Sequence, residues 1–156
     1  MKTITYQRLK NRALFYLERY DANSQKLKTV LLNRLKKDTL NGDIVPDEAP
    51  AWVAQVVQEM QRLNYVNDTR YTENAVRRLK ESGKSKRFIL AKLMQNGLKS
   101  SEILPYLEDV DEMESARLFV KKKHLGKDPK KDLAKLARAG FSFEIAQKVL
   151  EEKNEF

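Results

Sequence analysis

Ser85-Lys86-Arg87-Phe88-Ile89-Leu90-Ala91-Lys92-Leu93-Met94-Gln95-Asn96-Gly97 and, forty-three residues on, Asp128-Pro129-Lys130-Lys131-Asp132-Leu133-Ala134-Lys135-Leu136-Ala137-Arg138-Ala139-Gly140 are two copies of one helical sentence. Each opens on a residue whose side-chain oxygen can accept a hydrogen bond from a first-turn amide. Each closes on glycine, which adopts the left-handed conformation that ends a helix without steric cost. Leu90 falls on Leu133 and Leu93 on Leu136, so the apolar stripe repeats as well as the ends. Asp128 before Pro129 is a cap followed by proline at the first helical position, a strong start signal.

Working outward, Ser100-Ser101-Glu102-Ile103 matches Ser142-Phe143-Glu144-Ile145 at a shift of forty-two. The first helix of each round is also legible. Tyr71, Ala75, Val76 and Leu79 follow a cap at Asp68 and stop near Gly83; Met113, Ala116, Phe119 and Val120 run to a break at Leu125-Gly126. Toward the N-terminus, Tyr6, Leu9, Ala13, Leu14, Leu17 and Tyr20 make one stripe, and Ser24 caps a helix bearing Leu27, Val30, Leu31, Leu32 and Leu35. Ser24, Leu27 and Leu32 fall on Ser85, Phe88 and Leu93 at a shift of sixty-one. A polar, acidic connection from Asp38 to Pro50 precedes a helix with Trp52, Val53, Val56, Val57, Met60 and Leu63. Ile103, Leu104 and Leu107 mark another helix, in which Pro105 predicts a kink or a delayed start.

The expected fold is therefore all-α: three tandem three-helix repeats over 1–66, 67–110 and 111–156, packed into an elongated, curved array. A unit so short buries little alone, so neighbouring units must share a core.

Charge follows the repeat. The chain carries 31 Lys and Arg against 22 Asp and Glu, a formal net charge of +9, which attracts polyanions. Arg77, Arg78, Lys80, Lys84, Lys86, Arg87, Lys92 and Lys99 are opposed only by Glu81. Arg117 to Arg138 is similarly basic, opposed by Asp128 and Asp132, whereas Glu102 to Glu114 holds no lysine or arginine. A single charge run is usually a solvated face; recurrence in phase with the repeat points to a basic strip. The candidate contact residues for nucleic acid are Arg77, Arg78, Lys84, Lys86, Arg87, Lys121, Lys122, Lys123, Lys127, Lys130, Lys131 and Arg138. Arg12, Arg19, Lys26 and Lys28 form a second choice.

No catalytic or metal constellation emerges, and no cofactor is expected. With no cysteine, disulfides, thiolate metal sites and cysteine nucleophiles are excluded. His124 is the single histidine and reads as an exposed bystander after three lysines. Glu108, Asp109, Asp111, Glu112 and Glu114 lack the alternating ligand spacing and turn glycine of a calcium loop. Gly83-Lys84-Ser85 lacks the upstream glycine and preceding strand of a phosphate-binding loop, so ATP binding is rejected. Tyr16, Phe88, Phe119 and Phe141 fall in phase with aliphatic residues and read as core. The opening twenty residues lack a signal-peptide core and no apolar run spans a bilayer, so a cytoplasmic location is expected.

Several segments resemble the RecX family. Ala13-Leu14-Phe15-Tyr16-Leu17 with Ser24-Gln25-Lys26-Leu27 is similar to its opening repeat, and Tyr65-Val66-Asn67-Asp68-Thr69-Arg70-Tyr71 to its second-repeat entry. Gly83 to Ile89 and Leu93 to Leu98 resemble its glycine–serine–leucine–glycine frame. Leu136-Ala137-Arg138-Ala139-Gly140-Phe141-Ser142-Phe143-Glu144-Ile145 looks like its closing repeat and is the most specific stretch; the resemblance spans residues 10–152. The chain departs from the family at Thr72, where alanine usually follows the aromatic, and in its long acidic connection. The resemblance implies a non-enzymatic regulator that lies along the RecA–single-stranded DNA filament; a monomer is the default expectation. It would limit RecA's recombinase, ATPase and co-protease activities in DNA repair and the SOS response, touching DNA directly and no membrane. Composition alone leaves open a plain helix-turn-helix DNA-binding protein, although no heptad dimerisation helix is present, or an RNA- or ribosome-associated adaptor.

Overall fold

The computed structural model describes residues 1–154, so the end of the third predicted repeat, residues 155 and 156, lies outside the described residues. Among the described residues are nine helices: α1 (Tyr6–Arg19), α2 (Ser24–Leu40), α3 (Ala49–Arg62), α4 (Asp68–Glu81), α5 (Lys86–Gln95), α6 (Ser100–Leu107), α7 (Glu112–Lys123), α8 (Pro129–Arg138) and α9 (Phe143–Asn154). By compactness the chain divides into two units, Met1–Tyr71 and Thr72 onward, the second holding helices of both the second and the third predicted repeats.

Local chemistry sets most helix ends. Ser85 Oγ accepts from the Phe88 amide at 3.1 Å, and Ser142 Oγ from Ile145 at 3.2 Å. Asp128 accepts from Lys131, with Pro129 opening α8 as expected. Asp111, read in the sequence only as one of an acidic group and not as a cap, caps α7 by accepting from the amides of Met113 and Glu114. Gly83, Gly97 and Gly140 all have positive φ at the predicted stops.

Two predicted caps are displaced by one residue. Asn23, not Ser24, accepts the Lys26 amide at 2.8 Å, so α2 starts with Ser24 already inside it. Ser24 instead donates its amide and hydroxyl to the Asp68 carboxylate, at 2.7 and 2.6 Å. Asp68 is correspondingly the first residue of α4, and Asn67 accepts the Arg70 amide at 2.9 Å. Adjacent capping residues are close in local energy, and a long-range bond can decide between them.

In the first unit, Leu9 and Ala13 of α1, Leu27, Leu31 and Leu35 of α2, and Val53, Val56 and Met60 of α3 share one core. Tyr20 and Leu63 fall outside it, because both lie at helix C-caps, and are exposed. The acidic connection is shorter than expected and covers 41–48. Asp38 belongs to α2 and is buried; Arg12 contacts its two oxygens at 2.6 and 3.2 Å and Arg34 lies 3.7 Å away. That pairing is what lets a carboxylate lie inside a helix packing face. The segment before α1 also joins the unit: Ile4 is buried, donates its amide to Ile44 at 2.8 Å, and lies beside a Thr3–Ile44 bridge.

In the second unit, Ala116 and Val120 of α7, Leu136 of α8, Phe141, and Ala146, Val149 and Leu150 of α9 form a core. Phe119 meets Phe141 with ring centroids 5.8 Å apart. Phe88 and Leu104 are exposed, contrary to the stripes expected for α5 and α6, because the buried direction follows Ile89–Leu93 and Ile103–Leu107. Pro105 neither delays nor ends α6, which starts at Ser100 and continues two residues past it. Asp132, read as a charge opposing the basic run, is buried and accepts the Gly126 amide at 2.7 Å, bracing the loop into α8.

Leu93 is wholly buried while its neighbour Met94 is about half exposed. Leu93→Ala is therefore expected to lower unfolding free energy by about 3 kcal/mol, and Met94→Ala by under about 0.5 kcal/mol. Urea titration checks this; equal effects would place the α5 core face wrongly.

Candidate nucleic-acid interface

All twelve candidate basic residues lie in the second unit. The turn between α4 and α5 gathers the densest group. Gly83 packs with its Cα hydrogen against Leu118 and the α7 backbone, so an added Cβ would stand 3.0 Å from Leu118 Cβ. Lys122 Nζ donates to the Ser82 carbonyl at 3.2 Å, bringing the last turn of α7 onto the same turn. On its other side, Ser85 Oγ donates to the Ala139 carbonyl at 2.8 Å, and a Cβ on Gly140 would lie 3.4 Å from Arg87 Cβ. Lys84, Lys86, Arg87, Lys122 and Arg138 are thus carried by three chain segments that meet around Ser85.

Their charges are only partly answered. Lys84 Nζ lies 4.8 Å above the Phe88 ring, a cation–π contact that leaves the ammonium open on its other face. The backbone amide of Lys86 donates to Glu112 at 2.7 Å, which places one carboxylate at the edge of the group. Among the described residues none of the twelve candidates forms an ion pair with a carboxylate. Cations that have no carboxylate partner and are carried near one turn are suited to phosphate contacts.

The other candidates separate. Lys121 points away from Lys122, into a hollow between α7 and α9 lined also by Arg117, His124 and Lys153. Arg117 there is occupied by Glu152 at 2.8 and 2.9 Å; the hydrogen bond from Arg117 holds the Glu152 carboxyl below its usual range. Lys127, in the loop before α8, is exposed. Lys123 is exposed at the end of α7. Lys131 shares a face of α8 with Arg138, seven residues on, while Lys130 is turned roughly a quarter of a circle from Lys131. Arg77 bonds Asn74 and lines a hollow with Glu73, Tyr106 and Asp109, so nearby carboxylates offset its field. Arg78 is exposed on another face of α4. Of the second-choice set, Arg12 is held by Asp38, Arg19 lies over the Phe15 ring, and Lys26 and Lys28 are exposed.

Among the described residues no group of three or more His, Asp or Glu side chains is placed to hold a metal ion. No described helix is long and apolar enough to cross a membrane.

No family model matches the chain. The regulatory protein RecX of Myxococcus xanthus (strain DK1622) is 37% identical over 157 residues, covering 92% of this chain and 84% of its own length. The chain belongs to the RecX family. The regulatory protein RecX of Agrobacterium fabrum (strain C58 / ATCC 33970) is 28% identical, with 90% of this chain and 80% of that protein covered. A crystal structure of RecX from Lactobacillus salivarius superposes with a TM-score of 0.75 over 97% of both chains at 18% identity, a likeness of fold. The resemblance read from the sequence and the all-helical class are thereby shown.

The sequence did not reveal one feature of the first unit. Phe15 and Tyr20 are both more than half exposed beside Arg19. Helical periodicity assigned Tyr20 to a buried stripe, and nothing in that periodicity distinguishes an exposed aromatic from a core one at a helix end.

Proposed function

We propose that this RecX-family protein regulates RecA by binding the RecA–single-stranded DNA filament, and that it performs no catalysis itself. Family membership over nearly the whole chain carries the reading, since the relatives bear the name of a regulatory protein. The cluster of Lys84, Lys86, Arg87, Lys122 and Arg138 supports it as a place for filament phosphates. In this reading the protein acts as a cytoplasmic monomer, its three repeats run over 1–66, 67–110 and 111–156, and its effect limits recombinase, ATPase and co-protease activity during DNA repair and the SOS response.

The test is RecA's ATPase on single-stranded DNA with this protein titrated in. The expected result is loss of activity at protein concentrations well below that of RecA, because a regulator seated on a filament affects many subunits. Inhibition only when the DNA itself is saturated would overturn the filament reading in favour of plain DNA binding.

A further inference from the structure

Scattered apolar side chains on a surface need no explanation, but a cluster of rings interleaved with guanidiniums does. In the first unit Phe15 is 56% exposed, Tyr20 57% and Tyr65 54%. The Arg19 guanidinium lies 4.2 Å from the Phe15 ring centroid, and the Tyr16 and Tyr20 rings are 4.9 Å apart, tilted by 32°. These four residues form one wall of a groove of about 550 Å³ between α1 and α2, whose lining also includes Arg12 and Arg34. Among the described residues no carboxylate lines that groove; Asp38 lies behind it, nearly fully buried, and aligns Arg12 and Arg34 from below. A second, more polar hollow shares Arg19 and Tyr20 and continues the surface to Tyr65 and Arg70; Glu18 and Asp21 also line it.

We propose that the groove between α1 and α2 is a stacking site for unpaired bases of single-stranded nucleic acid. Every base has a flat π-face, so Phe15 and Tyr20 offer platforms that tolerate any sequence. Arg19 and Arg34 supply cations at the rim for the phosphates on either side. Three guanidiniums against one buried carboxylate give the groove the sign a polyanion needs. An acidic peptide would satisfy the arginines, but its acidic side chains have no flat face for the exposed rings, whereas a nucleotide joins a phosphate to a base in every residue. The site deepens the proposed action on a DNA filament and rests on that reading only in supposing single-stranded DNA as the ligand.

The experiment uses the full chain and two fluorescein-labelled probes of equal length: oligothymidylate, and an oligomer of abasic deoxyribose phosphate. The wild-type protein is expected to prefer the oligomer with bases. Phe15→Ala with Tyr20→Ala should weaken oligothymidylate binding by about a hundredfold, roughly tenfold for each ring, and leave abasic binding and the salt slope unchanged. Phe15→Trp should retain full affinity. Because both rings are more than half exposed, an unchanged melting temperature is expected and serves as the folding control. Equal loss on both probes, or no loss on either, overturns the proposal. So does unchanged oligothymidylate binding together with lost inhibition of RecA ATPase, which would make the groove a protein-docking surface. If the base-dependent loss is seen but wild-type protein fails to inhibit RecA below saturation of the DNA, the stacking site stands and the filament reading fails.

Discussion

Replacing Lys84, Lys86, Arg87 and Lys122 together with glutamine is expected to reduce affinity for single-stranded DNA by about a thousandfold at about 0.05 M salt. Each phosphate contact contributes about 0.7 to the slope of log affinity against log salt for a single strand, so four contacts contribute nearly 3. Between about 50 and 200 mM salt the wild-type protein should therefore lose roughly fiftyfold more affinity than the variant. Glutamine is preferred to glutamate because Glu112 already lies at the Lys86 amide, and added negative charge there would confound folding with binding. Arg77→Gln is the control: with Glu73 and Asp109 lining the same hollow, it should change the slope by much less than one contact's worth. Unchanged affinity in the fourfold variant would remove the Ser85 turn as the phosphate-binding surface.

Gly140→Ala is expected to destabilise the second unit by about 4 kcal/mol, and three costs add in the same direction. The backbone at Gly140 has φ of +96°, which L side chains rarely adopt. An added Cβ would stand 2.5 Å from Ser85 Oγ, well inside contact distance. Moving that hydroxyl breaks its bonds to the Ala139 carbonyl and from the Phe88 amide, so α5 loses its cap as α8 loses its stop. Gly42→Ala separates the terms: its φ of +83° brings a similar backbone cost, but nothing lies within 4 Å of the new Cβ. It should cost only about 1–2 kcal/mol. Chemical denaturation of both variants checks the difference; equal losses would show that the Ser85–Gly140 contact is unimportant.

The two variants also show where reading the chain succeeds. Ser85, Asp128 and Ser142 were legible as caps because each bond closes over three residues, and the glycine stops are equally local. The second role of Ser85, holding Ala139 fifty-four residues away, was not legible, since one hydroxyl gives no sign of its remote acceptor. Asp38 likewise reads as part of an acidic connection until Arg12 is found beside it. The basic residues were legible as a set but not as a surface: Lys121 and Lys122 are neighbours in sequence, yet helical rotation of about 100° turns one toward α9 and the other toward Ser82.

By itself the sequence determined the all-helical class, the repeated order of caps and stops, the absence of cysteine chemistry and the family resemblance. These rest on composition, on periodicity and on hydrogen bonds that span a single turn. Only the tertiary structure decided which of two adjacent residues caps α2, which aromatics are left in water, and which cations meet around one turn. Each of those depends on contacts between segments tens of residues apart, and such contacts are set by packing that no local pattern specifies.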